Sequence, residues 1–170
     1  MALDIARLRA NFPDREIIWL EVTGSTMSDA ALLAAAGCPS GTVVVAEEQT
    51  AGQGRHGRSW YSERGTGLYV SIVLRPPLAA DDFPVLTLAL GLATAEAIAR
   101  ATDLACDLRW PNDVLLDDKK CAGILIQAAG DAFIAGLPGR HHRRCDLPPL
   151  GIGTRALAPR LARKPAALGG

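Results

Sequence analysis

No Cys-x-x-Cys pair, secretory signal, membrane-length apolar run or internal repeat is found in this 170-residue chain. Its four cysteines, Cys38, Cys106, Cys121 and Cys145, are widely spaced, which points to a reducing cytoplasm. Each is read as a small hydrophobe or inert thiol; Cys121 alone adjoins lysines, Lys119 and Lys120, able to lower a thiol pKa. Net charge is also missing, with 18 basic residues against 18 acidic ones, so no global field recruits nucleic acid or an anionic membrane. Stacked aromatics are lacking too, which weighs against a nucleic-acid module built on Arg55, Arg58 and the basic C-terminal residues. The first strand is read from Glu16, far short of the length a winged helix-turn-helix ahead of it would need, so a repressor role is not expected.

What is present is a 49% hydrophobic composition, enough for one globular domain with a real core. The charge balance hides an asymmetry. Residues 1–136 hold 11 basic and 17 acidic side chains, a net −6, whereas residues 137–170 hold 7 and 1, a net +6. Helical spacing over Leu3 to Phe12 ends at Pro13, and Glu16 to Val22 reads as a strand. Ser25 or Thr26 can cap an alanine-rich helix from Met27 to Ala36. Thr42 to Ala46, Gly67 to Leu74, Cys106 to Trp110, Val114 to Leu116, Cys121 to Ala128 and Asp131 to Ala135 read as strands. Pro84 to Ala101 reads as a buried helix, because it is apolar and poor in β-branched residues.

Two segments carry chemistry. Thr50 to Trp60 packs Gly52, Gly54, Gly57, Arg55, Arg58 and His56 into a loop between apolar strands. Glycines let backbone N–H groups approach an anion, and guanidinium forks match phosphate or carboxylate oxygens, so the loop suits a phosphorylated or carboxylated small molecule. The second segment is Arg109-Trp110-Pro111-Asn112-Asp113, followed by Lys120 and Gly123. A lysine on a strand beside Ile124, Leu125 and Ile126 is either a surface residue with its stem laid over the core or a cation regularly joined by an anion.

In order, Ser25-Thr26, Glu48-Gln49, a GxGRxGRxW loop over residues 52–60, the RWPND turn and KxxGxL from Lys120 resemble the catalytic domain of the biotin protein ligases over roughly residues 16–136. The resemblance implies an α+β fold with a mixed, mainly antiparallel sheet and helices on one side, like that of class II aminoacyl-tRNA synthetases, incomplete at its C-terminal end. It implies a ligase that activates biotin with ATP, by attack of the carboxylate on the α-phosphate, and then passes biotin from biotinyl-AMP to a lysine of a biotin carboxyl carrier protein. Biotin and ATP are then substrates, Mg2+ accompanies ATP, and no site for a resident metal is expected. A homodimer is compatible with it.

Residue by residue, the resemblance puts Lys120 between the biotin carboxylate and the α-phosphate, with Arg55 and Arg58 on phosphate or ordering the loop. Gly52, Gln53 and Gly54 belong to that loop, which closes over the mixed anhydride and keeps water out. Ser25, Thr26 and Gln49 match positions at the biotin head group, and Gly123 clears space beside it. Trp60 and Trp110 supply apolar walls. Asn112 and Asp113 match polar positions near the adenylate, where Asp113 would help the acceptor lysine lose its proton.

The chain departs from the common pattern at Gln53, where arginine is frequent, at Met27, where asparagine is usual, and at Arg109, where lysine is commoner. The largest departure follows Gly136: residues 137–170 carry five prolines and the run Arg140-His141-His142-Arg143-Arg144 without an apolar period. These residues read as a poorly ordered basic tail or a frameshift product of a high-GC gene; His141, His142 and Cys145 lack the second pair that a metal site needs. Two other readings stand beside the ligase: a lipoate or octanoate transferase of the same fold, and a biotin-binding remnant with impaired catalysis.

Overall fold

The computed structural model describes residues 3–78 and 82–140. The expected Arg143–Arg144 basic run and the residues His141, His142 and Cys145 lie outside the described residues. Helix α1 (Ile5–Asn11) leads into strand β1 (Ile17–Leu20), helix α2 (Thr26–Ala35) and strand β2 (Val43–Ala46). A loop then reaches β3 (Gly67–Leu74) and the long helix α3 (Phe83–Thr102). Six short strands follow: β4 (Asp107–Arg109), β5 (Asp113–Leu116), β6 (Lys119–Gly123), β7 (Leu125–Ala129), β8 (Ala132–Gly136) and β9 (Gly139–Arg140).

The sheet runs β1-β2-β3-β9-β6-β5-β4, with β8 also on β3 and β7 on β8. Only β1 and β2 are parallel, so the mixed, mainly antiparallel α+β architecture expected from the sequence is what forms. Strand β3 serves both halves of the sheet: its start pairs with β9 and its end with β8. Gly67 makes the first pairing possible, since a Cβ there would lie 2.1 Å from the Gly139 carbonyl oxygen. Helix α2 buries Met27, Ala30 and Ala34 against Val44, Val73 and Ile134, forming one core. A second core gathers Ala95 of α3 with Val114, Leu116, Cys121, Ala122 and Ile124. Both depend on β-branched or small side chains that interdigitate on a pleated surface.

Three expectations change. The apolar run from Cys121 to Ala128 is not one strand. The chain turns at Ile124, whose N–H donates to the Asn112 carbonyl at 2.8 Å and whose own carbonyl accepts from Asn112 Nδ2 at 3.1 Å, so β6 joins β5 while β7 joins β8. Periodicity alone cannot reveal a change of partner inside one apolar run. Residues beyond Gly136 also keep their pairing for a short distance, because β9 bridges β3 and β6.

The third change concerns α3, which forms as expected but is not buried. It touches the sheet along one narrow line, where Gly91 lets the helix approach Leu108 and Ile124 and where Ala95 is covered. Val85 and Leu92 are each 62% exposed, and Leu88 45%. The helix is therefore apolar on faces that do not meet the sheet, which composition could not distinguish from a core helix. Its segment Pro84–Thr102, with mean hydropathy 1.3, is also long and apolar enough to cross a membrane by length and composition, contrary to the absence of such a run inferred from the sequence. Leu92→Gln is expected to change the unfolding free energy in urea by less than about 0.5 kcal/mol, as for an exposed helical position. A loss of about 2–5 kcal/mol, typical of emptied core sites, would show that this face is covered.

Candidate active site

The site lies where the 50–60 loop meets the β4–β5 turn and the start of β6. A register shift sets it up. Across β5 and β6, Asp113 pairs with Gly123 and Val114 with Ala122, but Leu115 then pairs with Lys120, so β6 carries one extra residue. Such a bulge re-aims the side chains around it. Cys121 and Ala122 both enter the core, while Lys120 comes to the face that carries Asp113 and Gly123.

There the Lys120 ammonium meets Asp113 Oδ1 at 2.6 Å, and Arg109 Nη2 meets Asp113 Oδ2 at 2.9 Å. Arg109 and Asp113 are cross-strand partners of the β4–β5 hairpin, which fixes their approach. The lysine stem lies over Gly123, where an added Cβ would be 3.1 Å from both Cε and Nζ. Above it sits the Trp60 ring, its centroid 5.2 Å from Nζ, close enough for a cation–π contact. Burial alone pushes the Asp113 carboxyl pKa up, yet the hydrogen bonds and charges of Lys120 and Arg109 outweigh it and hold the group below the usual carboxylate value.

The loop itself is a short closed turn. Trp60 N–H donates to the Gly52 carbonyl at 2.7 Å and Gly54 N–H to the Arg58 carbonyl at 2.7 Å. Gly54 thus spends its donor inside the loop rather than on an anion, a difference from the sequence-based expectation. Gly52 is required for packing: a Cβ would stand 2.5 Å from the Trp60 carbonyl oxygen and 2.7 Å from Ser62 Oγ. Arg55 reaches Asn112 Oδ1 at 3.2 Å, so Asn112 joins the loop to the sheet while it grips Ile124. Gln53 reaches Ser28 Oγ at 3.4 Å. The Arg58 guanidinium makes no hydrogen bond or ion pair among the described residues.

At the start of α2 the capping is unusual. Ser25 is the N-cap, but its hydroxyl makes no cap hydrogen bond; Gln49 Oε1 instead accepts from the Thr26 N–H at 2.8 Å and from Thr26 Oγ1 at 3.0 Å. Thr26 Oγ1 also meets Ser71 Oγ at 2.8 Å, and Gln49 Nε2 donates to Ser62 Oγ at 2.8 Å. The Ser25 hydroxyl is left buried without a hydrogen-bond partner among the described residues, in a residue 4% exposed. A buried hydroxyl with no partner costs about 1–3 kcal/mol, which a ligand hydrogen bond would recover.

A cavity of about 220 Å³ opens beside the Arg55–Asn112 contact, lined by Arg55, Pro84, Thr87, Trp110, Asn112 and residues 124–126. Trp110 is 65% exposed and stands at its rim rather than in the core. Lys120 is not part of that lining; Asn112 connects the cavity to Asp113 and hence to the lysine. No group of three or more His, Cys, Asp or Glu side chains converges among the described residues in a way that could hold a metal ion. Of the cysteines, Cys121 is buried with its thiol on the Val114 carbonyl, and burial raises the Cys106 thiol, so neither is poised as a nucleophile.

Sequence reasoning named Lys120, Asp113, Asn112, Arg55, Trp60 and Gly123, and the structure brings these into one cluster; Ser25, Thr26 and Gln49 form a second cluster along the loop. It missed Arg109 as part of the lysine's environment, although the hairpin spacing of Arg109 and Asp113 was the signal that could have found it.

The chain matches the biotin/lipoate A/B protein ligase family model over residues 19–136. It is 39% identical over 120 residues to the bifunctional ligase/repressor BirA of Bacillus subtilis, covering 71% of this chain and 37% of that one. It is 37% identical over 132 residues to the biotin–[acetyl-CoA-carboxylase] ligase of Mycobacterium tuberculosis, covering 72% and 48%. The chain therefore spans less than half the length of these curated relatives. Among solved structures, it resembles the biotin protein ligase of Leishmania major in complex with biotinyl-5-AMP, with a TM-score of 0.67, 33% identity, and 73% and 56% coverage of the two chains. It resembles equally the Aquifex aeolicus biotin protein ligase in complex with biotin and ATP, with a TM-score of 0.67, 34% identity, and 78% and 56% coverage.

The ion-paired carboxylate has a consequence for stability. A depressed folded pKa stabilises the fold above the unfolded value and loses that contribution as pH falls through the folded value. The chain is therefore expected to weaken on acidification below about 4, and Asp113→Asn to remove part of that dependence in urea titrations run across this range. Identical acid sensitivity in the two proteins would show that Asp113 does not titrate as described.

Proposed function

Because this chain belongs to the biotin/lipoate A/B protein ligase family, we propose that it activates biotin with ATP and transfers it to a lysine of a biotin carboxyl carrier protein. The observation that carries the reading is the Lys120 ammonium, set under Trp60 of the loop and beside Gly123. In the first step a biotin carboxylate oxygen attacks the α-phosphorus and pyrophosphate leaves. Two anions meet there, and the barrier is lowered by a fixed cation between them. Lys120 supplies that charge, with Arg55 and Arg58 as further donors from the loop. In the second step the carrier amine attacks the acyl carbon of biotinyl-AMP and AMP leaves.

The Ser25 hydroxyl suits the polar head group of biotin, with Thr26 and Gln49 holding the backbone around it. Magnesium would accompany ATP and offset the charge of its phosphates, a role that needs no dedicated protein cage. The L. major and A. aeolicus ligases named above are described with biotin, biotinyl-5-AMP or ATP, which favours biotin over lipoate as the acid. The family match covers residues 19–136, and the pairing of β9 with β3 and β6 carries the sheet a few residues further. Among the described residues Cys38, Cys106 and Cys121 form no disulfide, which suits a reducing cytoplasm.

Pyrophosphate release dependent on both biotin and ATP is the direct assay. Lys120→Ala is expected to lower its rate by about 10²–10³-fold, as for loss of one electrostatic donor to a charged transition state, while leaving the fold intact by circular dichroism. An unchanged rate removes Lys120 from the chemistry. Biotin binding with no pyrophosphate release in the unaltered chain would instead favour the binding-remnant reading.

A further inference from the structure

The proposed reaction leaves Arg109 without a role, and the family resemblance would give Asp113 the work of a base. The geometry fits neither. Asp113 is 17% exposed and shares its two oxygens between two cations, Oδ1 with Lys120 and Oδ2 with Arg109. A carboxylate so placed is a poor acceptor for the proton of an incoming ammonium, and a good tether for the lysine beside it.

Resting on the biotin-activation reading, we propose that Arg109 is a positioning residue. By holding Asp113 Oδ2, it lets the same carboxylate keep Lys120 in place and then yield it to an anionic guest. The lysine is held by a counter-ion before substrate arrives: its stem lies over Gly123 and its head beside the Trp60 ring, with 33% of the side chain exposed. Asp113 is that counter-ion. When the biotin carboxylate or the α-phosphate takes over the Lys120 ammonium, Asp113 would be left with an unbalanced charge were Arg109 not paired with it. Arg109 therefore lowers the cost of handing the lysine over.

Three independent features of the chain build this arrangement. The β4–β5 register places Arg109 opposite Asp113, the extra residue of β6 turns Lys120 onto the same face, and Gly123 leaves room for the lysine stem. Arg109 is itself 59% exposed, and an exposed ion pair contributes little to folding. Its effect should thus appear in substrate handling rather than in stability.

The test compares the unaltered chain with Arg109→Met and Arg109→Lys in three measurements: biotin binding by calorimetry, carrier-free pyrophosphate release against pH, and transfer from preformed biotinyl-AMP to a carrier domain. Arg109→Met is expected to raise Kd and KM for biotin about tenfold with kcat nearly kept, and to move the acid limb of kcat/KM up by about one pH unit, the effect of removing one cation from a carboxylate. Arg109→Lys should restore most of both, and transfer from preformed biotinyl-AMP should be unaffected. Unchanged biotin affinity and an unmoved acid limb in Arg109→Met overturn the inference. So does a defect confined to the transfer step, which would return Asp113 to the role of base for the acceptor lysine. If the unaltered chain fails to bind biotin at all, the functional reading itself has failed, and this outcome is distinct from the other two.

Discussion

The contact between Lys120 and Asp113 depends on one extra residue in β6. Without that register shift, regular alternation would place Lys120 on the core face with Val114 and Ala122, where an ammonium has no partner and no water. With it, the lysine stands on the face of Asp113 and Gly123, and the neighbouring Cys121 takes the core position. The fold thus converts a local irregularity into a fixed cation. Everything else at the site is arranged around that charge: Arg109 shares its counter-ion, Trp60 covers it, and Gly123 makes way for its stem.

The loop is tied to this centre by few but specific contacts. Arg55 meets Asn112, whose amide also holds the turn at Ile124, so one side chain couples the loop to the junction of β6 and β7. At the loop's other end Gln49 is committed to the start of α2 and to Ser62, which leaves the Ser25 hydroxyl unspent. Here the N-cap serine leaves the capping of the helix to a distant glutamine, so its own hydroxyl stays unspent. The scaffold meets its own polar needs with Gln49, Thr26 and Asn112, and leaves the Ser25 hydroxyl without a partner among the described residues.

Much of this was legible in the sequence, but unevenly. Strands such as Gly67–Leu74 announced themselves by β-branched residues between turn formers, and α2 by its alanines after Ser25-Thr26. The ordered motifs named residues that the structure gathers between the 50–60 loop, the β4–β5 turn and β6. What could not be read was long-range partnership. The run after Cys121 changes strand partner at Ile124 through a hydrogen bond to Asn112, and no local pattern encodes that exchange. The same holds for α3, whose uniform apolarity suggested burial although only the line through Gly91 and Ala95 meets the sheet. Nor did the glycines of the loop serve only to admit an anion; Gly52 is there because Trp60 and Ser62 leave it no space.

The central claim is that an acid takes the place of Asp113 at Lys120 beneath the loop. A structure of the chain with a non-hydrolysable biotinyl-AMP analogue tests it most directly. The account predicts Lys120 Nζ within about 3 Å of the analogue's carboxyl-derived or phosphate oxygens, Trp60 still over the lysine, and Asp113 retained by Arg109. An analogue bound away from the loop, with Lys120 still paired to Asp113 alone, would contradict it.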